Sequence, residues 1–95
     1  MTFCVYLLIQ INTKKPNSYV GYTNDITNRL KLHNTSKGAK FTKGKKWKLI
    51  YKKKYTTKSQ AMKEEIKLKK NRKVREYIKN HYNKKEYENI NFTSI

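Results

Sequence analysis

The sequence predicts a small α+β domain, in which a three-stranded antiparallel sheet is flanked by helices in the order β-β-α-β-α-α. Strand-like alternation in two neighbouring stretches, a third such stretch after a basic loop, and helical periodicity in the second half predict this class. With 95 residues the chain has room for one compact domain. We assign this domain to residues 1–82 and predict that residues 83–95 form a basic and polar C-terminal tail, a candidate for disorder.

The first two strands are predicted to pair as a hairpin. From Phe3 to Ile11, apolar residues occupy both alternating faces, which is typical of a central strand. A polar turn segment with Pro16 follows, and Ser18 to Thr23 then has the composition of a second strand. Their short separation predicts antiparallel pairing.

Three helices follow from caps and periodicity. Residues 23–25 offer N-caps for a short first helix that carries Arg29. Thr57, with Gln60 three residues later, resembles a capping box at the start of the second helix. A stripe at i, i+3, i+4, i+7 and i+8 predicts a third helix, or a kinked continuation of the second near Asn71. The stripe consists of Val74, Tyr77, Ile78, His81 and Tyr82.

The third strand is predicted over residues 48–55, between the first and second helices. Trp47, Leu49, Tyr51 and Tyr55 are expected on one side of it, since they recur at mostly even spacing. We expect these rings to pack on the sheet, and stacking against nucleic-acid bases is the less favoured alternative.

The charge balance indicates a polyanionic partner, with DNA as the first candidate. The chain has 24 Lys and Arg against six Asp and Glu, a formal charge of +18. Self-repulsion at this level is relieved by a polyanion, whose binding releases counterions. An AT-rich genome would also raise the lysine content, but it would not by itself reduce the acids to six. In the loop over residues 34–46, we expect phosphate contacts from Lys37, Lys40, Lys43, Lys45 and Lys46.

Composition argues against several other classes. Cys4 is the single cysteine, so neither an internal disulfide nor a cysteine-based zinc site is expected. The apolar stretch from Val5 to Ile11 is too short to span a membrane and lacks the basic flank of a signal peptide. We expect a soluble intracellular protein, in the cytoplasm or, for a viral source, in a host nucleus. The oligomeric state is left open.

Because acids are few, each carboxylate is informative. Glu65 shares a helix face with Ala61 and Leu68, which should point at the sheet. A carboxylate placed there is costly unless it is paired or bound to a metal. Taken alone, an ion pair with Lys69 one turn on is the simpler explanation. Glu64 is expected on the solvated side of the same helix.

Four segments in order resemble the GIY-YIG nuclease family. Residues 5–7 (Val-Tyr-Leu) and 19–21 (Tyr-Val-Gly) are similar to the two half-motifs that name the family. The segment from Tyr19 to Arg29 resembles its strand-to-helix segment, and Leu30 to Asn34 continues it as in small single-domain members. Residues 61–65, followed by Lys69, are similar to the helix that carries the metal-binding glutamate. The resemblance covers about residues 3–80.

The resemblance implies a metal-dependent DNA endonuclease that leaves 5′-phosphate and 3′-hydroxyl ends. Tyr6 matches a general base or water-positioning tyrosine, and Tyr19 matches a tyrosine that hydrogen-bonds near the scissile phosphate. Gly21 matches the glycine that allows close approach of backbone or DNA. Arg29 matches the arginine that stabilises phosphoryl charge. Glu65 matches the sole protein ligand of Mg²⁺ or Mn²⁺.

Three further positions follow from the same resemblance. His33 lies where some members place a catalytic histidine, whose ordinary pKa is near neutral. Tyr22 stands where DNA-repair members have lysine, so His33 would take the proton-handling role. Some members carry a late asparagine, for which Asn80 is the candidate and Asn71 the alternative.

Two alternatives stay open. One is a catalytically inactive, basic nucleic-acid-binding module of the same fold, and the other is a basic structural protein. Without a catalytic role, Tyr6 and Tyr19 are core residues of a Tyr-rich protein, Arg29 is one more basic phosphate contact and His33 is a structural residue. A structural protein would also show no metal dependence and no effect of changing Glu65. Binding alone does not require a carboxylate opposite a polyanion, which favours the nuclease. The target is undetermined, whether branched, single-stranded or duplex DNA, as is a role in repair or recombination.

Overall fold

One antiparallel sheet organises the chain, with β1 between β2 and β3. The strands are β1 (Phe3–Gln10), β2 (Ser18–Thr23) and β3 (Trp47–Tyr55), and the helices are α1 (Ile26–Asn34), α2 (Lys58–Lys70) and α3 (Arg72–His81). A 3-10 turn, Lys40–Thr42, lies in the basic loop. The structure is a computed structural model that describes residues 2–82, so the tail predicted at residues 83–95 lies outside the described residues. The predicted α+β class and element order are confirmed.

Each α-helix begins at a side-chain cap that the sequence contains. Asp25, Thr57 and Asn71 each accept a hydrogen bond at 3.1 Å from the backbone N–H three residues further on. Such caps satisfy donors that have no partner within the helix. Asn71 also follows the last residue of α2, so α2 and α3 are separate helices rather than one kinked helix.

The two faces of the sheet carry two different cores. On one side, which we call the α1 face, α1 and the basic loop cover the sheet. Its buried side chains are Tyr6, Leu8, Trp47 and Leu49. On the other side, the α2–α3 face, the second and third helices cover the sheet. Its buried side chains are Val5, Leu7, Val20, Ile50, Ala61 and Leu68.

A β-bulge in β3 overturns the prediction that its aromatic residues share one side. Leu8 pairs with Leu49 while Leu7 pairs with Tyr51, so Ile50 is an extra residue in the ladder. An inserted residue reverses the alternation of side chains beyond it. Trp47 and Leu49 therefore lie on the α1 face, whereas Tyr51 and Tyr55 pack on the α2–α3 face.

Packing of these rings on the sheet is confirmed for Trp47, which is only 3% exposed and so has no surface for a stacked base. Cys4 is buried as expected, and burial raises the pKa of its thiol. Within residues 2–82, no helix is long and apolar enough to cross a membrane.

Candidate active site

Tyr6 stands at the centre of the α1 face, on the middle strand. Its cross-strand partner on β2 is Gly21. A Cβ atom at Gly21 would lie only 2.5 Å from Tyr6 Cζ, closer than real Cβ contacts allow. The missing side chain is therefore what lets the phenol ring of Tyr6 lie over β2, which accounts for a glycine in the middle of a strand.

The Tyr6 hydroxyl begins a chain of buried hydrogen bonds. Tyr6 Oη lies 2.9 Å from His33 Nε2, and His33 Nδ1 lies 2.8 Å from Thr42 Oγ1. The Thr42 hydroxyl donates to the carbonyl oxygen of Ala39 at 2.8 Å. Tyr6, His33 and Thr42 are each at most 1% exposed. The chain thus joins β1, the last turn of α1 and the 3-10 turn of the basic loop.

The direction of these bonds fixes the tautomer of His33. Because the Thr42 hydroxyl donates its only hydrogen bond to the carbonyl oxygen of Ala39, its oxygen accepts a hydrogen bond from the N–H at His33 Nδ1. The neutral imidazole then has an unprotonated Nε2, which accepts a hydrogen bond from the Tyr6 hydroxyl. The arrangement leaves a basic lone pair directed at the phenol.

The surroundings keep both groups neutral. Burial, with the nearby Arg29 charge acting in the same direction, lowers the pKa of His33 to about 4. Burial raises the pKa of Tyr6 to about 12 against the opposing effect of a hydrogen bond from Arg29. At neutral pH the proton therefore rests on Tyr6 and the imidazole is uncharged.

Arg29, Tyr19 and Glu65 converge on the same phenol. Arg29, from α1, is half-buried and hydrogen-bonds to Tyr6, while the charge of Glu65 is close enough to raise the Tyr6 pKa. The Tyr19 ring lies with its centroid 6.4 Å from that of Tyr6 and 5.0 Å from that of His33. Tyr6, Tyr19, Arg29 and His33 thus lie together, and Glu65 is close enough for its charge to act on Tyr6.

Glu65 reaches this point from α2. Its side chain is 15% exposed, and its carboxylate lies 3.6 Å from Lys69 Nζ, so the anticipated ion pair is present. Glu64 differs from the prediction, because it is only partly solvated. One of its carboxylate oxygens is buried beside Lys67 Nζ, at 3.2 Å, where α2 packs over the sheet.

Glu65 provides the kind of ligand that a divalent cation such as Mg²⁺ takes. Among residues 2–82, no group of three or more His, Cys, Asp or Glu side chains could form a protein cage for a metal. A shielded carboxylate oxygen fits Mg²⁺, which is commonly held by one or two carboxylates with waters and a substrate phosphate. The residues therefore fit a cation shared with the substrate.

The five loop lysines differ in what they contact. Lys37, Lys40 and Lys43 are exposed. The Nζ atom of Lys45 donates to the carbonyl oxygen of Phe41 at 2.9 Å, and that of Lys46 donates to the carbonyl oxygen of Asn34 at 2.8 Å. Two of the five thus support the loop, although all lie on its surface or edge.

The late asparagine candidates lie on or beside α3. Asn80 is exposed in its last turn, while Asn71 is accounted for as the helix cap. His81, a member of the predicted helical stripe, stacks on Tyr77 with ring centroids 4.1 Å apart. Tyr22 packs against the α2–α3 face, on the opposite side of the sheet from Tyr6. Its hydroxyl is therefore poorly placed to replace a proton-handling lysine.

Sequence reasoning missed three residues of the basic loop. Thr42 orients His33, as described above. A Cβ at Gly38 would lie 2.7 Å from His33 Nδ1, so this glycine makes room for the imidazole. Phe41 stacks on Tyr19, with centroids 6.2 Å apart and an interplanar angle of 18°. The sequence of this loop has no periodicity from which its contacts could be predicted. The one available signal was Gly38, five residues after His33.

The chain is similar in sequence to several known proteins and in fold to a solved structure. A UPF0213 protein of Oceanobacillus iheyensis is 48% identical over 52 residues, and this match covers 54% of the chain but only 60% of that relative. The UPF0213 protein YazA of Bacillus subtilis is 47% identical over 76 residues, which cover 76% of the chain and 77% of YazA. The solution NMR structure of a UPF0213 protein from Bacillus halodurans has 30% identity and a TM-score of 0.51, covering 99% of this chain and 100% of that one.

A match over most of the chain identifies the family to which it belongs. The GIY-YIG catalytic domain matches residues 2–88, which include both strands of the hairpin, α1, the basic loop and α2. The expected fold and resemblance are thereby confirmed, and the chain belongs to the GIY-YIG family of catalytic domains.

Proposed function

We propose that this protein is a metal-dependent endonuclease that hydrolyses DNA phosphodiester bonds. The observation that carries the proposal is the 2.9 Å contact between Tyr6 Oη and an unprotonated His33 Nε2. A purely structural tyrosine needs only a partner for its hydroxyl. Here the partner is a base, and a guanidinium and a carboxylate lie around the same hydroxyl.

The first step is activation of the attacking water. As water attacks phosphorus, Tyr6 Oη accepts a proton from it and passes its own proton to His33 Nε2. The resting pKa values, about 12 for Tyr6 and about 4 for His33, oppose this transfer in the free protein. Proton transfer from Tyr6 to His33 thus becomes favourable only when the charge of a bound substrate changes the electrostatic potential around the two residues. Without substrate, Tyr6 keeps its proton.

Access to Tyr6 is controlled by its neighbours. The residue is 1% exposed, so a water can contact its hydroxyl only after another side chain moves. Arg29 and Tyr19 are both half-buried beside it. Arg29 is positively charged and would bind a phosphate. When it does so, the Arg29 side chain would move and expose the Tyr6 hydroxyl to water.

Arg29 and Glu65 have complementary roles at the phosphoryl group. The guanidinium of Arg29 would neutralise charge on the non-bridging oxygens, a role that suits its fixed fork of donors. Glu65 would hold Mg²⁺ or Mn²⁺, and such a cation would supply positive charge to the leaving oxygen. Occupation of Glu65 by a cation would release Lys69 from its present ion pair, so that Lys69 could face the DNA backbone.

The remaining basic residues are proposed to position the DNA. Lys37, Lys40 and Lys43 are exposed on the loop that covers His33 and are the best placed for phosphate contacts. Lys45 and Lys46 would contribute at the cost of their present bonds to backbone carbonyls. These contacts add affinity that falls with salt but do not select sequence.

The direct test is cleavage of labelled single-stranded, duplex, nicked, flap and four-way DNA with Mg²⁺ or Mn²⁺, with and without EDTA. Glu65→Gln should abolish cleavage while leaving binding intact. Glu64→Gln is the matched control, because it changes the neighbouring carboxylate, which pairs with Lys67 rather than with Lys69. Equal activity of the Glu65→Gln and unmodified proteins would contradict the assigned metal site.

A binding module without catalysis is the second candidate, and the +18 charge favours it. It predicts tight, salt-sensitive binding by every variant and no cleavage of any substrate by the unmodified protein. That outcome would replace the nuclease proposal with the binding module.

A further inference from the structure

Phe41 is an exposed aromatic ring fixed beside the candidate active site. It is 49% exposed, although its ring packs on Tyr19 and lies 6.1 Å from the buried Trp47. Leaving half of such a ring in water forgoes part of the free energy that burial would contribute. An aromatic side chain that packs on a neighbouring ring and is half exposed, with the flexible Lys45 side chain over it, is suited to stack a ligand ring.

A pocket of about 270 Å³ adjoins this ring. It crosses β2, which is an edge strand, and so connects the α1 face with the ends of the helices on the other face. The pocket is lined by Ser18, Tyr19, Val20, Phe41, Lys69 and Arg75. The lining thus combines two aromatic rings with two cations, and Tyr19 belongs both to this pocket and to the candidate active site.

Arg75, one of the cations that line this pocket, is held in place by hydrogen bonds within the protein. Arg75 donates through Nη1 to the carbonyl oxygens of Leu68, at 2.9 Å, and Lys69. This fixes a positive charge at the end of α2. The Nζ atom of Lys45 lies 5.1 Å from the centroid of the Phe41 ring, a cation–π contact in which a flexible side chain can give way to a base.

We propose that this pocket binds the nucleotide next to the scissile phosphate, with its base stacked on Phe41 and its phosphate near Lys69 and Arg75. The proposal rests on the proposed nuclease function and names a subsite of the same centre. Tyr19 lines the pocket and has its ring centroid 6.4 Å from that of Tyr6, so the occupant is the neighbour of the reacting group.

The occupant must be an unstacked nucleobase. In a duplex each base is covered by its neighbours on both sides, so it cannot lie on Phe41 unless it leaves the stack. A single strand supplies such a base directly, whereas a duplex supplies it only when a nucleotide flips out. Both sources present the same flat, apolar ring with a flanking phosphate.

Binding can be tested without cleavage, by fluorescence anisotropy of a labelled oligonucleotide in EDTA. Phe41→Ala should weaken single-strand binding roughly 5- to 150-fold, as loss of one base–aromatic stack does. Phe41→Trp should retain affinity, because it keeps a stacking surface. Tyr77→Ala is the matched control, since Tyr77 is an aromatic residue 64% exposed on α3.

A second arm identifies the stacked base. A single abasic residue is moved along the oligonucleotide, and at one position it should weaken binding by the unmodified protein but not by Phe41→Ala. The same series in duplex DNA shows whether the stacked base comes from a single strand or flips out of a duplex. Base flipping predicts that one abasic position in the duplex also weakens binding by the unmodified protein but not by Phe41→Ala, and single-strand recognition predicts no such position.

The outcomes separate this proposal from the proposed function. If Phe41→Ala binds and cleaves like the unmodified protein, Phe41 merely covers Tyr19 and the nucleotide pocket is wrong, while the nuclease is unaffected. If no DNA is cleaved but Phe41→Ala loses affinity and the abasic coupling is seen, the pocket stands without the nuclease.

Discussion

The two faces of the sheet bury comparable numbers of side chains, but one core is apolar and the other includes hydrogen-bonded polar groups. On the α2–α3 face, apolar residues such as Leu7 and Leu68 pack against helices. On the α1 face, a phenol, an imidazole and a hydroxyl are buried in a hydrogen-bonded chain. Buried polar groups contribute less to folding than apolar ones and are costly when unpaired. The presence of three such groups in the interior of a small domain indicates that this face has a role besides folding.

Consecutive residues of β1 make the comparison sharp. Tyr6 and Leu7 are both fully buried on the same strand, yet they point to opposite faces. Substitutions at these two positions should therefore separate chemistry from stability.

The largest effect is expected from Tyr6→Phe. It removes the hydroxyl that would exchange protons with water and His33, and general acid–base catalysis typically contributes 10²–10⁴-fold to rate. We expect single-turnover DNA cleavage to fall by roughly that factor. The free energy of unfolding should fall by only about 1–3 kcal/mol, the usual effect of leaving a buried acceptor unpaired. An unchanged cleavage rate would make Tyr6 a core residue.

Leu7→Ala should have the reverse profile. Truncating a fully buried leucine creates a cavity and typically lowers the free energy of unfolding by about 2–5 kcal/mol. Cleavage per folded molecule, measured at low temperature, should be unchanged, because Leu7 faces away from the site. Denaturant unfolding gives the first quantity, and loss of intrinsic activity by the folded fraction would contradict the division between faces.

Acid should weaken the protein through His33. From about pH 6.5 down to about pH 4, the unfolded chain binds a proton at this residue that the folded chain excludes. The free energy of unfolding should therefore fall as pH is lowered through this window, by at most about 3 kcal/mol, and this contribution should be constant below it. His33→Gln should remove this part of the pH dependence, whereas His81→Gln, at an exposed site, should keep it.

Thr42 offers the smallest and most specific test. Thr42→Val keeps the shape but removes the acceptor that fixes His33 Nδ1–H, and we expect cleavage to fall roughly 10- to 100-fold, as is common for outer-shell partners. Thr42→Ser keeps the hydroxyl and should retain most of the activity. Equal losses in both variants would mean that the Thr42 methyl group, rather than its hydrogen bond, is what matters.

The hairpin was accessible from sequence because local patterns determine it, and the candidate catalytic residues were accessible through family resemblance. Alternation of residues predicted β1 and β2. Asp25 and Thr57 are residue types that cap helix N-termini, so they predicted the starts of α1 and α2. Glu65 alone favoured an ordinary ion pair with Lys69, which the structure contains. Its convergence with Tyr6 could be inferred just from family resemblance.

The rest depends on contacts that no local pattern encodes. The bulge at Ile50 is set by how β3 pairs with β1, so the strand's own alternation could not reveal which tyrosines share a face. Thr42 meets His33 because the loop between α1 and β3 folds back through a 3-10 turn. The exposure of Phe41 likewise follows from that turn.

The protonation state of His33 tests the central claim most directly, because the account requires a neutral base aimed at Tyr6. Long-range ¹H–¹⁵N correlations of the imidazole rings report it, and His81→Gln assigns the His33 signals. We predict a neutral ring protonated at Nδ1 at pH 6, which shifts toward the other tautomer in Thr42→Val. A ring protonated at Nε2, or charged at pH 6, could not accept the Tyr6 proton and would contradict the account.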